Sequence, residues 1–341
     1  MTAKKVTVGI VGAGAIAQSY VQAIENAECA TLSGVADSND DAAAAVAEKT
    51  GCTAYASHKE LLDAGVCDAV VVSTPPATHP EICMDFLKSG VHVLCEKPMA
   101  ISSEDALEML ATADKHESLL TMGSKFRYVN DVIKAKSIVD SGILGDIVLF
   151  ENAFTGWVNM TERWNSQPAI SGGGVLIDNG THSVDIMRYF LGPIDEVQAV
   201  EGKRLQSEMV EDTVRIFAHS LDGVMGSVDL SWSLNKELDT YIEIYGSAGT
   251  IKVGWRGSRY RQSSSAEWIE FGTGYDKVQA FTSQIENFCK AIRNEEMLVI
   301  TAEDALASVR VVEAAYQSMR KNAWVSVGRE SAANVSVVNG Q

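Results

Sequence analysis

The sequence predicts a two-part α/β protein, in which a doubly wound parallel sheet is followed by a second part with largely antiparallel strands. Two observations predict this class. In the first 123 residues, short apolar segments alternate with helical segments, the order that βαβ units produce. Beyond residue 123, strand-like segments follow one another with only short turns between them, as in an antiparallel meander.

The first strand is predicted at residues 6–11, a continuous apolar and β-branched run typical of a strand buried on both faces. A glycine turn and a helix at residues 15–26 follow it. The rest of this part continues the alternation. Strands are predicted at 32–36, 69–72, 91–95 and 119–122, and helices at 40–49, 81–88 and 104–115.

The second part begins with a helix at residues 132–140 and a strand at 147–154. A run of three glycines then leads into a helix that ends near residue 190. Further strands are predicted at 196–200, 213–219, 224–231, 241–245, 250–253 and 268–271, and helices at 280–293 and 302–320. The polar segment 329–341 is expected to be a loose tail, so the predicted division is 1–123, 124–328 and 329–341.

Composition narrows the class of partner. The chain has 341 residues, enough for two hydrophobic cores, and its 46% hydrophobic and 21% charged residues are typical of a globular protein. A formal net charge of -17 repels phosphate backbones and anionic membranes, which argues against nucleic acid and membrane partners. A local basic pocket would still leave room for an anionic small substrate.

The six cysteines follow no metal-binding spacing, and none are paired as Cys-x-x-Cys. We therefore expect reduced thiols, no metal centre and a cytoplasmic location. The first residues run directly into a strand without a separate apolar region, which agrees with that expectation.

The glycine turn has the spacing of a dinucleotide site. Gly12 permits a tight turn, Gly14 lets the backbone approach a pyrophosphate, and Ala17 lets helix and strand pack closely. Asp37 ends the second strand 20 residues after Ala17 (37 − 17 = 20), where a carboxylate meets the adenosine ribose and repels a 2′-phosphate. The spacing alone also fits a plain strand–turn–helix. With Asp37 it predicts NAD in preference to NADP, with further contacts from Ala15, Ile16 and Ser38.

A second loop is expected to meet the nicotinamide side of the cofactor. Thr74, Pro75 and His79 follow the strand at 69–72, and ligands of parallel sheets lie beyond the carboxyl ends of strands. The prolines of this loop stiffen it, so the alternative interpretation is a rigid turn without a ligand.

A lysine follows the strand at 91–95. Oxidation of a carbinol needs removal of the hydroxyl proton and a positive group near the developing oxygen charge, and Lys97 is placed to supply that group. Glu96 is expected to pair with Lys97 or to contact the cofactor ribose. Alone, Glu-Lys-Pro also fits an ordinary surface turn.

An acid and a histidine lie four residues apart after the glycine run 172–174. Asp178 and His182 share one face if a helix begins there, so the acid can orient the ring of a proton carrier. Asp185 is another candidate partner for the ring. The glycines are expected to let backbone approach a ligand. The alternative is a capped helix with a buried, satisfied histidine.

Together, these motifs resemble the glucose–fructose oxidoreductase/inositol dehydrogenase/rhizopine catabolism (Gfo/Idh/MocA) family over residues 5–327. The resemblance implies a Rossmann domain, then an α/β domain with an open, largely antiparallel sheet. It implies NAD or NADP as cofactor and a sugar, polyol or sugar derivative as substrate. By position, Lys97 matches the catalytic lysine, Asp178 the substrate-binding acid and His182 the acid/base. Members associate as homodimers or homotetramers through the open sheet.

The segment after Gly123 departs from the family's usual Asn-Arg-Arg-Phe, and Arg127 is assigned to the arginine position near the substrate. Trp157, Arg163 and Trp164 lie in a loop expected to overhang the pocket, where indoles suit a sugar face and arginine suits an anion. A packed surface loop is the alternative.

Three functions fit these motifs. The leading hypothesis is an NAD-dependent dehydrogenase of a sugar or polyol. The second is an enzyme that retains NAD as a transient oxidant for glycoside cleavage or epimerisation. The third is a non-catalytic, NAD-binding regulator, which the presence of Lys97, Asp178 and His182 disfavours.

Overall fold

The structure is a computed structural model and describes residues 4–206 and 209–328. Its N-terminal part contains one sheet of six parallel strands. The strands are β1 (Val6–Val11), β2 (Ala30–Ala36), β3 (Thr53–Tyr55), β4 (Ala69–Val72), β5 (His92–Glu96) and β6 (Leu120–Gly123). Their order is β3-β2-β1-β4-β5-β6. The order switches direction between β1 and β4, which opens a crevice for a ligand at the carboxyl ends of these strands.

Helices cover both faces of this sheet, as predicted. They are α1 (Ala17–Asn26), α2 (Asp40–Thr50), α3 (His58–Asp63), α4 (His79–Lys88) and α5 (Ser103–Lys115). Val70 and Val72 of β4 face one core, whereas Val71 faces the other. The sequence pattern missed β3 and α3, because both are short and β3 carries no apolar alternation.

The second part is built on nine strands that form one sheet. They are β7 (Ile147–Thr155), β8 (Ile194–Glu201), β9 (Thr213–Ser220), β10 (Met225–Ser231), β11 (Thr240–Gly246), β12 (Gly249–Gly254), β13 (Ser258–Gln262), β14 (Ile269–Gly272) and β15 (Val325–Ser326). Their order is β14-β13-β12-β11-β7-β10-β9-β8-β15, and every pairing is antiparallel except β10 with β7. The predicted fold class is therefore confirmed.

One face of the second sheet packs against helices. Val214, Ile216 and Ala218 of β9 are buried, while their neighbours Arg215 and His219 face outward. The remaining helices are α6 (Asn130–Asp140), α7 (Pro168–Ser171), α8 (Val175–Leu191), α9 (Lys277–Ile292) and α10 (Ala302–Lys321). The alternation along β9 is what a sheet with one covered face produces.

Two helices from the C-terminal part of the chain pack against the first sheet. Helix α9 follows strand β14 of the second sheet in sequence, yet its Phe281, Ile285 and Phe288 pack in the core of the first sheet with Tyr20. Leu306 at the start of α10 joins the other core of that sheet. This packing ties the two parts together.

No helix among residues 4–206 and 209–328 has the length and apolar character to cross a membrane. The expected tail 329–341 lies outside the described residues.

Candidate active site

A cavity of about 970 Å³ lies at the carboxyl edge of the first sheet and extends to helix α8. It is lined by most of the residues that the sequence motifs single out. These are Gly12, Gly14, Ala15, Ile16, Asp37, Ser38, Thr74, Pro75, Glu96, Lys97, Arg163, Trp164, Asp178 and His182. Residues separated by more than a hundred positions thus share one cavity.

The glycine turn has the geometry of a phosphate cradle. Gly12 has a φ of +92°, and a Cβ there would lie 2.9 Å from backbone atoms of Ser73 and Thr74. A Cβ at Gly14 would meet nothing within 4 Å, so the backbone beside it is open to the cavity. Ile16 is the N-cap of α1 and gives no side-chain cap; the N–H groups of Ala17 and Ser19 donate to the Gly14 and Ile16 carbonyl oxygens at 3.1 and 3.0 Å, and the positive end of the helix dipole lies beside the glycine turn.

Asp37 is held at the end of β2 by the backbone. Its Oδ2 accepts a hydrogen bond from the Ala13 N–H at 2.6 Å, and its Oδ1 accepts one from the Asn39 N–H at 2.8 Å. These bonds orient the carboxylate, and each oxygen keeps a lone pair for a ribose hydroxyl.

Lys97 and Asp178 form an ion pair that joins the two parts of the protein. The Lys97 ammonium donates to the Asp178 carboxylate, and it also donates to the Asp178 carbonyl oxygen at 3.2 Å. Only 16% and 24% of the two side chains are exposed. The pair therefore holds a cation at the end of β5 beside the first turn of α8.

His182 lies one helical turn after Asp178 and is buried, with its ring edge-to-face against Phe126 at 5.1 Å. Burial, followed by the charges of Lys97 and Lys125, lowers its pKa well below the usual value. The imidazole is consequently neutral near pH 7 and free to accept a proton.

The expected orientation of His182 by an acid is not found among the described residues. The Asp178 carboxylate bonds to Lys97, and Asp185 accepts hydrogen bonds from Arg127 and Ser124. The His182 Nδ1 atom has no hydrogen-bond partner in the described part of the chain. Packing against Phe126, rather than an acid, positions the ring.

Glu96 forms the floor of the cavity and is buried. It accepts hydrogen bonds from the Tyr20 hydroxyl at 2.6 Å and from the Lys97 N–H at 3.0 Å. Burial raises the pKa of this carboxyl, and the nearby Lys97 charge opposes the rise. Its bonds fix the end of β5, from which Lys97 extends.

Three residues expected in the site do not line the cavity. His79 is buried behind the loop, where its ring nitrogens lie 2.9 Å from the Pro98 carbonyl oxygen and 2.8 Å from that of Thr74. Arg127 pairs with Asp185 at 2.6 Å inside the protein. Trp157 is 64% exposed on the surface. The first two therefore have structural partners in place of a ligand.

The sequence motifs did not single out several residues of the cavity wall. Lys125, Phe126, Phe154 and Trp255 all line it. Lys125 follows the carboxyl end of β6, so the rule that ligands lie beyond strand ends was a usable signal for it. Trp255 follows an antiparallel strand and has no such signal.

The glycine run 172–174 approaches protein and not a ligand, contrary to expectation. A Cβ at Gly174 would lie 2.0 Å from the Glu211 carbonyl oxygen. The Glu211 carboxylate accepts hydrogen bonds from the N–H groups of Gly174 at 2.9 Å and Leu176 at 3.1 Å, and from the Tyr316 hydroxyl at 2.7 Å. Glu211 thus caps α8, the helix that carries Asp178.

Gly174→Ala is expected to lower the free energy of unfolding by roughly 2–3 kcal/mol, because the new methyl group has no room beside the Glu211 backbone. Denaturant unfolding measures the change. Gly257→Ala is the matched control, since its Cβ would find its nearest atom at an ordinary 3.6 Å. Equal stability of both variants would show that α8 can shift to accept the methyl group.

Two family models match the chain. One, described as an oxidoreductase family with an NAD-binding Rossmann fold, matches residues 6–124. The other, described as the C-terminal alpha/beta domain of an oxidoreductase family, matches residues 136–327. Together they cover most of the chain, with residues 125–135 between them.

Curated relatives and solved structures match over nearly the whole length. The rhizopine catabolism protein MocA of Rhizobium meliloti is 25% identical over 323 residues, 92% of this chain and 95% of the relative. Myo-inositol 2-dehydrogenase of Thermotoga maritima is 24% identical over 344 residues, 94% and 98% of the two chains. The structure of levoglucosan dehydrogenase with NADH and levoglucosan has a TM-score of 0.90 at 22% identity, over 96% and 100% of the chains. At that identity the structural likeness concerns the fold alone.

Proposed function

The chain belongs to this NAD-binding oxidoreductase family, and from that premise we propose that it transfers hydride between NAD and a carbinol carbon of a sugar, polyol or sugar derivative. The observation that carries the proposal is the joint position of the Lys97–Asp178 pair and neutral His182 in the cavity that also holds the glycine turn. Relatives named as inositol 2-dehydrogenases support the substrate class.

We assign NAD binding to residues 1–123 and substrate binding to 124–328. The open backbone at Gly14, the uncapped start of α1 and the fixed Asp37 carboxylate fit a pyrophosphate and an adenosine ribose. When bound, NAD supplies the nicotinamide ring that accepts or returns the hydride. The other cavity-lining contacts we assign to it are Ala15, Ile16, Ser38, Thr74, Pro75, Glu96 and Lys97.

Proton handling falls to residues of the chain. The Lys97 ammonium donates to the substrate oxygen and stabilises the negative charge that develops there during oxidation. Neutral His182 accepts the hydroxyl proton as general base and returns it in the reverse direction. Asp178 holds the Lys97 ammonium in place and supplies an acceptor for a neighbouring substrate hydroxyl.

We propose that aromatic residues of the cavity wall, together with the loop that follows β7, contact the substrate. Phe154, Trp164 and Trp255 present apolar faces to the cavity, as sugar-binding sites do. Arg163, next to Trp164 in the loop after β7, adds a cation.

We further propose that the chain forms a homodimer or homotetramer through the partly exposed face of the second sheet. Light scattering would measure the oligomeric state.

The function is tested by NADH absorbance with purified protein, NAD and a panel of polyols, aldoses, uronic acids and sugar phosphates. A signal that is lost in Lys97→Ala and kept in Lys88→Ala, an exposed control at the end of α4, supports the proposal. If no compound of the panel produces an NADH signal and NAD is released only when the protein is denatured, the result contradicts the proposed dehydrogenase and favours a cofactor-retaining enzyme.

Cofactor choice gives a separate prediction. Asp37→Asn removes the charge that repels a 2′-phosphate, so the ratio of kcat/KM for NAD to that for NADP is expected to fall by roughly 10–100-fold. The control is Asp63→Asn, which removes the same charge from an exposed site outside the cavity. An unchanged ratio in Asp37→Asn would remove this residue from cofactor selection.

A further inference from the structure

The cavity contains two cations that form no ion pair with a described acid. Lys97 is paired with Asp178, but no hydrogen bond or ion pair joins the Lys125 ammonium or the Arg163 guanidinium to another described residue. The same lining carries the acids Asp37, Glu81, Glu96 and Asp178, so the cavity as a whole is not positive, but these two cations have no bonded acid among the described residues.

Lys125 is the better placed of the two. Its ammonium lies 5.3 Å from the ring centre of Phe126 and 5.7 Å from that of Phe281, and the half-buried side chain lines the cavity. Phe126 also packs against His182, so Lys125 is beside the proposed reaction centre. Burial lowers the pKa of Lys125 to about 8.

The charge of Glu96 favours the Lys125 ammonium, but no hydrogen bond or ion pair described for the chain joins the two groups. Its carboxylate accepts its described hydrogen bonds from the Tyr20 hydroxyl and the Lys97 N–H. A half-buried ammonium without a bonded acceptor has lost part of its hydration. Such a group is retained more readily when a bound ligand completes its contacts.

We propose that Lys125 binds an anionic substituent of the substrate, a carboxylate or a phosphate, with Arg163 of the cavity lining contributing a second cation. This inference rests on the proposed function and narrows its substrate class to sugar acids or sugar phosphates. The Lys97–Asp178 pair is internally neutral, which leaves Lys125 and Arg163 as the lining cations without a bonded acid among the described residues.

The kinetic test compares glucose with glucuronate and with glucose 6-phosphate, in wild type, Lys125→Met, Lys125→Arg and the exposed control Lys88→Met. We expect wild type to prefer one anion over glucose. Lys125→Met should lose roughly 10–100-fold more in kcat/KM for that anion than for glucose, because one charged contact is removed. Lys125→Arg should recover most of the loss. The preferred anion tells carboxylate from phosphate.

A pH series separates charge recognition from packing. KM for the anion should rise in wild type as the pH passes about 8 and Lys125 loses its proton, whereas Lys125→Arg should show no such rise. The charged groups that influence Lys125 are Glu96, Lys97, Asp178 and Lys277, and the arginine variant leaves them unchanged. A rise that persists in Lys125→Arg would contradict the proposal.

Calorimetric titration of the NADH-bound protein with both anions gives a readout without turnover. Binding that depends on Lys125 supports the inference even if no panel compound reduces NAD, which would defeat only the proposed function. Equal losses for glucose and the anions in Lys125→Met, weaker NADH binding as the sole effect, or a wild-type preference for glucose would each overturn it.

Discussion

Lys97→Ala is expected to lower kcat by about 10²–10⁴-fold while leaving the affinity for NADH within a few-fold of wild type. The ammonium is the positive group held at the cavity wall by Asp178, so its removal takes charge stabilisation from the substrate oxygen. Steady-state kinetics measure kcat, and NADH fluorescence measures cofactor affinity.

The variant also leaves Asp178 without its partner. Because 24% of the Asp178 side chain is exposed, water can solvate the carboxylate, and we expect the fold to survive. A thermal unfolding scan checks this point, and the double variant Lys97→Ala with Asp178→Asn removes the unpaired charge. Full turnover in either variant would exclude Lys97 from the mechanism.

The strands of the first sheet could be predicted from the sequence because most of them are buried on both faces. A run such as Val70 to Val72 has no polar alternative, so the pattern predicts a strand and its neighbours predict the winding. The carboxyl ends of those strands then pointed to Asp37 and Lys97. Strands with weak patterns were missed: β3, β13 and β15 are short or polar, and pairing with neighbouring strands forms them.

The partners of the site residues were much harder to predict. The spacing of Asp178 and His182 indicates a shared helical face, but it cannot show that Asp178 pairs with a lysine 81 residues earlier. Arg127 was assigned to the substrate on a matching position, yet a buried acid, Asp185, neutralises it. Such pairings depend on how two distant elements pack, which local periodicity does not record.

The glycine run shows the same limit. The sequence predicts that another group packs closely against the backbone of Gly174, and in the structure one does. Whether the approaching group is a ligand or the protein's own Glu211 depends on a loop 37 residues later. A glycine in the sequence therefore predicts that some group packs closely against its backbone, but it does not predict whether that group belongs to a ligand or to the protein.

His182→Asn is expected to lower kcat by about 10²–10³-fold, because asparagine cannot carry the hydroxyl proton. The wild-type profile should already be flat near pH 7, since burial and the charges of Lys97 and Lys125 keep the histidine neutral there. On acidification the rate should fall only below the usual histidine range, about pH 6.5, when the ring is protonated. His116→Asn, outside the cavity, is the control.

The pH at which the rate falls on acidification, the acid limb of the pH–rate profile, tests the electrostatic coupling between Lys125 and His182. Lys125 lowers the pKa of His182, so Lys125→Met should raise it and move the limb to higher pH. In His182→Asn the limb should disappear, because the titrating group is gone. A limb that remains in His182→Asn would assign the proton to another residue, with Asp178 or Glu96 as the next acids in the cavity. A limb that vanishes there and shifts upward in Lys125→Met would place His182 as the base and Lys125 within its field.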